Sequence, residues 1–124
     1  MSKRESLTAI DAAAVAAAYA AALPEEVLSL VVETFQALAD PTRARILYAL
    51  SQRFLCVRDL AVLVGVSESA ISHQLSFLRV RRLVKSRRDG NVIYYSVDDY
   101  HVAALFREAE HHVDHVRRSL PDHP

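Results

Sequence analysis

The sequence predicts a mainly α-helical fold with one small β-hairpin, a winged helix-turn-helix that dimerises through its terminal helices. Three observations lead there. Two short amphipathic segments meet at Gly65 within "CVRDLAVLVGVSESAISHQLSFLRV" (56–80), an Asp89-Gly90 turn signal sits among strand formers just behind them, and the basic side chains concentrate in the same part of the chain.

A chain of 124 residues with 52% hydrophobic content suits one compact domain. The formal net charge of zero hides a segregation: residues 1–40 carry −4, residues 41–97 carry +7 and residues 98–124 carry −3. In the middle, Arg79, Arg81, Arg82, Lys85, Arg87 and Arg88 follow one another with no acid between Ser69 and Arg88. On charge alone such a run is as well a solvated face as a nucleic-acid footprint, so its neighbours decide. The apolar stretch "AAAVAAAYAAAL" (12–23) is alanine-dominated and stops at Pro24, too short for a membrane span. It starts behind Asp11 and no cleavage pattern follows it, which argues against a signal peptide. The single cysteine, Cys56, excludes an intrachain disulfide and fits a reducing compartment. The expected setting is cytoplasmic, with no membrane partner.

The elements follow in order. Residues 11–23 have high helix propensity, and Pro24 both ends that helix and suits the first turn of the next, "PEEVLSLVVETFQALA". There Val27, Leu30, Val31, Thr34, Phe35 and Leu38 fall on one stripe. Asp40 then serves as N-cap and Pro41 as first helical residue of "PTRARILYAL". A short amphipathic helix through Leu60 and Leu63 runs to Gly65, which can take the left-handed conformation without a Cβ penalty. Ser67 caps the following helix, in which Ile71, Leu75 and Leu78 point inward and Ser69, Ser72, His73 and Gln74 lie opposite. Small polar side chains on the outer N-terminal face of a second helix can reach base edges in a major groove. An ordinary helical hairpin with a polar surface would look similar. "LVKSRRDGNVIYYSV" weighs against that reading, because it gives a two-stranded wing whose tip carries Arg87 and Arg88 within reach of phosphates. Ser69, Ser72 and His73 are therefore expected to face bases, and Gln74, Arg87 and Arg88 to position the protein on the backbone of double-stranded DNA.

With these residues in view, the chain resembles the ArsR/SmtB family of metal-responsive winged-helix repressors. The matching stretches are "ALADPTRARIL" (37–47), "LCVRDLA" (55–61), "GVSESAISHQLSFLR" (65–79) and "GNVIYYSV" (90–97), with the terminal histidines behind them. The resemblance covers about residues 30–118 and rests on several motifs at once. It implies a homodimer that binds palindromic operator DNA when metal-free and releases it on binding metal, controlling metal efflux or sequestration genes. The domain organisation expected is an N-terminal helical extension over 1–24, the DNA-binding and metal-sensing domain over 25–118, and a flexible tail over 119–124.

The last helix, capped by Asp98 or Asp99 and running to about Arg118, has Val102, Leu105, Phe106, Ala109 and Val113 as its apolar surface. His112 and His115 share a face. His101 and His112 also share one, but about 16 Å apart along the axis, so one zinc ion cannot touch both on one helix. Two antiparallel copies bring the Asp99 and His101 end of one beside the His112 and His115 end of the other. The resemblance implies the same set: an Asp-x-His pair from one protomer and a His-x-x-His pair from its partner, matched here by Asp99, His101, His112 and His115. His111 points about 100° away and is left out. One carboxylate and three imidazoles suit tetrahedral Zn(II), with Co(II) as its mimic, and serve thiolate-loving ions poorly. The cysteine-rich site of other family members is absent, since Arg58 stands at its second cysteine position and Cys56 reads as a small buried side chain. Nickel is the competitor, through His123 or the N-terminus, although family nickel sensors carry more terminal histidines than this tail.

Two other classes compete with this reading. "HHVDH" has the histidine spacing of a zinc protease helix, but His112 stands where H-E-x-x-H needs its general-base glutamate, so an enzyme is not expected. A DNA-binding protein without a metal switch would use the histidine helix only as a dimer interface; operator affinity with and without zinc separates it.

Overall fold

The computed structural model describes residues 7–119. His123 lies outside the described residues, as do the first six residues of the expected extension and all of the expected tail but Ser119. The chain divides into two compact units between Glu33 and Thr34.

In the first unit, α1 (Ala12–Ala21) begins at Asp11, whose carboxylate accepts a hydrogen bond of 3.0 Å from the Ala14 amide. Pro24 precedes α2 (Glu25–Leu38), and its carbonyl accepts from the amides of Val27 and Leu28 at 3.0 and 2.9 Å. Glu25 and Glu26 occupy the first turn of α2, where the helix dipole favours negative charge. No residue of α1 is buried.

The second unit contains the last turn of α2 and then α3 (Pro41–Gln52), β1 (Leu55–Cys56), α4 (Val57–Val64), α5 (Glu68–Val80), β2 (Val84–Asp89), β3 (Val92–Val97) and α6 (Tyr100–Ser119). Asp40 caps α3 as its sequence position requires, accepting from the Arg43 amide at 3.0 Å, with Pro41 at the start of the helix. Arg43 also reaches back. Its Nε donates to the Ala37 carbonyl at 2.7 Å and a terminal nitrogen donates at 3.4 Å to the Gln36 carbonyl, which also accepts from the Ala39 amide at 3.2 Å, so the side chain helps to close the α2 C-terminus. The same guanidinium lies 4.4 Å over the Phe77 ring of α5, so one side chain ties together three helices.

The core lies among α3, α4, α5, the sheet and the start of α6. Ile46, Leu47, Leu50, Leu60, Ile71, Leu75 and Leu78 are its largest fully buried side chains, and Leu83, Val84, Val97 and Val102 close it. Each full burial of this kind contributes about 1.5–3 kcal/mol. Strands run antiparallel in the order β1-β3-β2, and the hairpin register pairs Val84 with Val97 and Asp89 with Val92 around Gly90 and Asn91. Gly90 takes a φ of 65°, the conformation the hairpin turn needs.

Two features differ from the sequence reading. The wing sheet gains a third strand, because Leu55 and Cys56 pair with Tyr95 and Tyr94; two residues are too few to carry an alternation. In α4, Leu60 and Ala61 are buried but Leu63 is 62% exposed, so the helix roll is set by adjacent residues rather than by the Leu60–Leu63 pair. Within the second unit the end of α2 and the stripe of α6 are only partly covered: Phe35, Leu105 and Val113 remain exposed, while Ala37 and Val102 are buried. Among the described residues no single helix is long and apolar enough to cross a membrane.

Candidate functional site

The α4–α5 pair is built by two local devices. Gly65 adopts a left-handed conformation at φ 82° and donates its amide to Ala61 at 2.8 Å, which ends α4 in the manner only glycine does cheaply. Ser67 then starts α5, its hydroxyl accepting from the Ala70 amide at 3.0 Å. Ile71, Leu75 and Leu78, all buried, fix the roll of α5. At 3.6 residues per turn this turns Ser69, Ser72 and His73 to the opposite side, and all three are exposed. Ser76 shares that face and was missed by the sequence reading. Gln74, next to Leu75, is half-buried and stands on the flank rather than with the other three.

The wing places Arg87 opposite Tyr94 and Arg88 opposite Ile93, three and two residues before Gly90 at the tip. Arg88 is exposed. The Arg87 guanidinium folds back across the sheet, 4.2 Å over the Phe54 ring, which holds the charge beside β1 rather than beyond the tip. Between α5 and the wing runs an open groove lined by Cys56, Arg58, Glu68, Ser72, Asn91 and Ile93. Arg58, Glu68 and Asn91 were not singled out from the sequence as site residues. The available signal was charge, since Glu68 is the one acid between Asp59 and Asp89. Cys56 is a free, half-buried thiol at the start of α4.

At the other side chains in question, Asp99 is the cap of α6. Its Oδ1 accepts from the amides of His101 and Val102 at 2.9 and 3.4 Å and lies 3.5 Å from Nδ1 of His101, so cap geometry gathers this carboxylate and imidazole. The His101 ring also stacks on Tyr100, centroids 4.2 Å apart. His112 and His115 lie one turn apart on α6, both exposed. They are eleven or more residues from His101, about 16 Å along the axis at the closest. Among the described residues of one chain, no three or more His, Cys, Asp or Glu side chains converge on a point that could hold a metal ion. His111 instead borders a groove between α3 and α6 with Tyr48, Phe106 and Asp114. Tyr48 and Phe106 pack edge-to-face there, centroids 6.3 Å apart, anchoring the N-terminal half of α6 on α3.

The family signature described as "Bacterial regulatory protein, arsR family" matches residues 40–86, from the α3 cap into β2. The chain is 52% identical over 99 residues to the "Transcriptional repressor SmtB homolog" of Synechocystis sp., covering 76% of this chain and 73% of that protein. It is 45% identical over 105 residues to the "HTH-type transcriptional regulator NmtR" of Mycobacterium tuberculosis, covering 84% and 88%. The solution structure of apo-NmtR matches with a TM-score of 0.66 over 77% of this chain and 80% of that one. A homodimeric winged helix-turn-helix DNA-binding domain from Mycobacterium bovis matches with a TM-score of 0.71 at 29% identity, over 81% and 92%. These relatives are DNA-binding regulators, not enzymes, and the match extends across both the α4–α5 pair and the wing. The chain belongs to the ArsR/SmtB family of metal-sensing, winged helix-turn-helix transcriptional repressors.

Proposed function

We propose that this protein is a zinc-responsive repressor: a homodimer that binds palindromic operator DNA when metal-free and leaves it on binding Zn(II), controlling genes of metal efflux or sequestration. The observation that carries the reading is the layout of α6. It has a carboxylate and an imidazole gathered at its N-terminus by the Asp99 cap and two imidazoles one turn apart about 16 Å away, so each end would supply half of a four-ligand set. Asp99 and His101 of one protomer with His112 and His115 of its partner would complete two symmetry-related sites per dimer. One carboxylate and three imidazoles suit tetrahedral zinc. The uncovered apolar faces of α2 and α6 support pairing of these terminal helices between protomers.

On the DNA side, Ser69, Ser72 and His73 face base edges, with Gln74, Arg87 and Arg88 on the phosphate backbone. Because each metal site would span both chains, its four residues would couple the angle between protomers to the spacing of the two α5 helices, which must match the operator half-sites. Bound zinc supplies fixed charge and four bonds; the chain's own residues determine which dimer shape those bonds favour. The test is DNA binding measured by fluorescence anisotropy while zinc, cobalt and nickel are titrated in parallel. Zinc should give the strongest release. A larger response to nickel or cobalt would reassign the effector, and no response to any metal would leave a DNA-binding regulator without this switch.

A further inference from the structure

Glu68 is the first residue of α5 and stands in the groove between that helix and the wing. It is the sole acid of residues 60–88, a segment that carries six arginines and lysines. Its Oε2 lies 3.4 Å from Nε of Arg58, the second residue of α4. The two side chains are 55% and 79% exposed, and an ion pair so open to water contributes little to stability. Ser67 already fills the capping role, and at the first position of α5 Glu68 adds only the modest favourable charge that Glu25 and Glu26 add to α2. What sets this pair apart is its place. In a helix-turn-helix the N-terminal turn of the second helix meets base edges, and the first helix crosses the backbone. Glu68 and Arg58 occupy those two positions, and Ser72 lines the groove with them.

We propose that Arg58 and Glu68 form a charge gate that sets the selectivity of DNA binding. In the free protein each neutralises the other. On duplex DNA, Arg58 leaves Glu68 for a phosphate, and the freed carboxylate then needs a donor. In the major groove the amino group of cytosine is such a donor, whereas a site without one leaves the carboxylate facing unpaired acceptors and phosphate charge. Glu68 thus penalises binding to arbitrary sequence and is compensated at a half-site that offers cytosine in register, so the acid lowers affinity overall while raising preference. This inference rests on the α4–α5 pair being the DNA-binding element.

The experiment uses the full-length dimer without metal. Wild-type protein selects a preferred duplex from a randomised pool, and affinities for that duplex and for a random-sequence duplex are then measured across a salt series for wild type, Arg58→Ala, Arg58→Lys and Glu68→Gln. Arg58→Ala should weaken binding to both duplexes and flatten the slope of log K against log salt by about 1.8 for the two protomers, at about 0.9 per phosphate contact. Arg58→Lys should keep the slope. Glu68→Gln should bind the random duplex more tightly, reduce the ratio of preferred to random affinity by about tenfold, and select a pool in which a cytosine preference in each half-site is relaxed. An unchanged salt slope in Arg58→Ala, or an unchanged ratio and unchanged selected bases in Glu68→Gln, would overturn the gate while leaving the DNA-binding reading intact. Failure of the wild-type protein to bind any duplex would remove both. Both positions are exposed, and unchanged circular dichroism and unfolding midpoints confirm that the variants compare folded proteins.

Discussion

A mixed dimer separates a metal site shared between chains from one held within a chain. One protomer carries Asp99→Ala and His101→Ala, the other His112→Ala and His115→Ala, and the pair is purified through two different affinity tags. The expected numbers come from α6. His101 and His112 are eleven residues apart on one 20-residue helix, about 16 Å, whereas zinc holds its ligands at about 2.0–2.2 Å. One chain therefore offers at most two ligands to any ion. In the mixed dimer, one intersubunit site loses all four ligands and the other keeps all four. Native mass spectrometry and chelator competition should give two zinc ions for the wild-type dimer, one for the mixed dimer, and no tightly bound ion for either mutant homodimer. The coupling to DNA should follow in proportion. If two ions weaken operator binding by about 100-fold, additive sites leave about tenfold for one, a range usual for allosteric coupling. A homodimer lacking His112 and His115 that retained full zinc affinity and zinc-dependent release would refute the intersubunit arrangement.

Arg87→Ala with Arg88→Ala should weaken binding to all duplexes and lower the salt dependence, whereas Ser72→Ala and His73→Ala should relax sequence preference with the salt slope kept; anisotropy titrations on operator and random DNA distinguish the two. Ile71→Ala empties a fully buried position and should cost about 2–5 kcal/mol in urea-induced unfolding at fixed protein concentration. Gly65→Ala should cost about 1 kcal/mol, because φ is 82° there while nothing lies within 4 Å of an added Cβ; the strain is conformational rather than steric, and Gly65→Asn should cost less. Arg43→Met removes the bonds to the Ala37 and Gln36 carbonyls and the Phe77 contact, and should cost about 1.5–3 kcal/mol in the same assay.

What could be read from the sequence was whatever depends on a few neighbouring residues. Asp40, Ser67 and Asp99 cap helices because their carboxylates or hydroxyl meet amides two or three residues on, and Gly65 and Gly90 turn the chain because each takes a positive φ. The Ile71, Leu75 and Leu78 stripe fixed the exposed face of α5 for the same local reason. What escaped depends on distant partners. β1 exists because β3 offers its free edge to Leu55 and Cys56, and nothing in two residues announces that. The course of Arg87 is set by Phe54, thirty-odd positions earlier, and the Arg58–Glu68 pair by the way α4 and α5 cross. The apolar stripes of α2 and α6 illustrate a further limit: periodicity tells that a face seeks cover but not whether the cover comes from the same chain.

The acidic ends of the sequence carry α2, α6 and five of the six histidines, while the basic middle carries α5, the wing and His73, so the proposed dimer contacts and metal ligands are separated from the proposed DNA contacts. Communication between them must then pass through packed elements. Arg43 is one such bridge, holding the end of α2 by two carbonyls and resting on Phe77 of α5; Phe77 in turn carries the Arg81 guanidinium 3.6 Å from its ring centre. A change in the angle between protomers that moved α2 would reach α5 through this contact. Reciprocity then constrains the measurement: whatever factor zinc costs operator binding, operator DNA must cost zinc binding the same. Arg43→Met should therefore shrink both factors equally. If it lowered stability but left the two factors at their wild-type value, Arg43 would be a structural tie only, and the coupling would have to run through the packing of α6 itself, on α3 at Tyr48 and Phe106 and on β3.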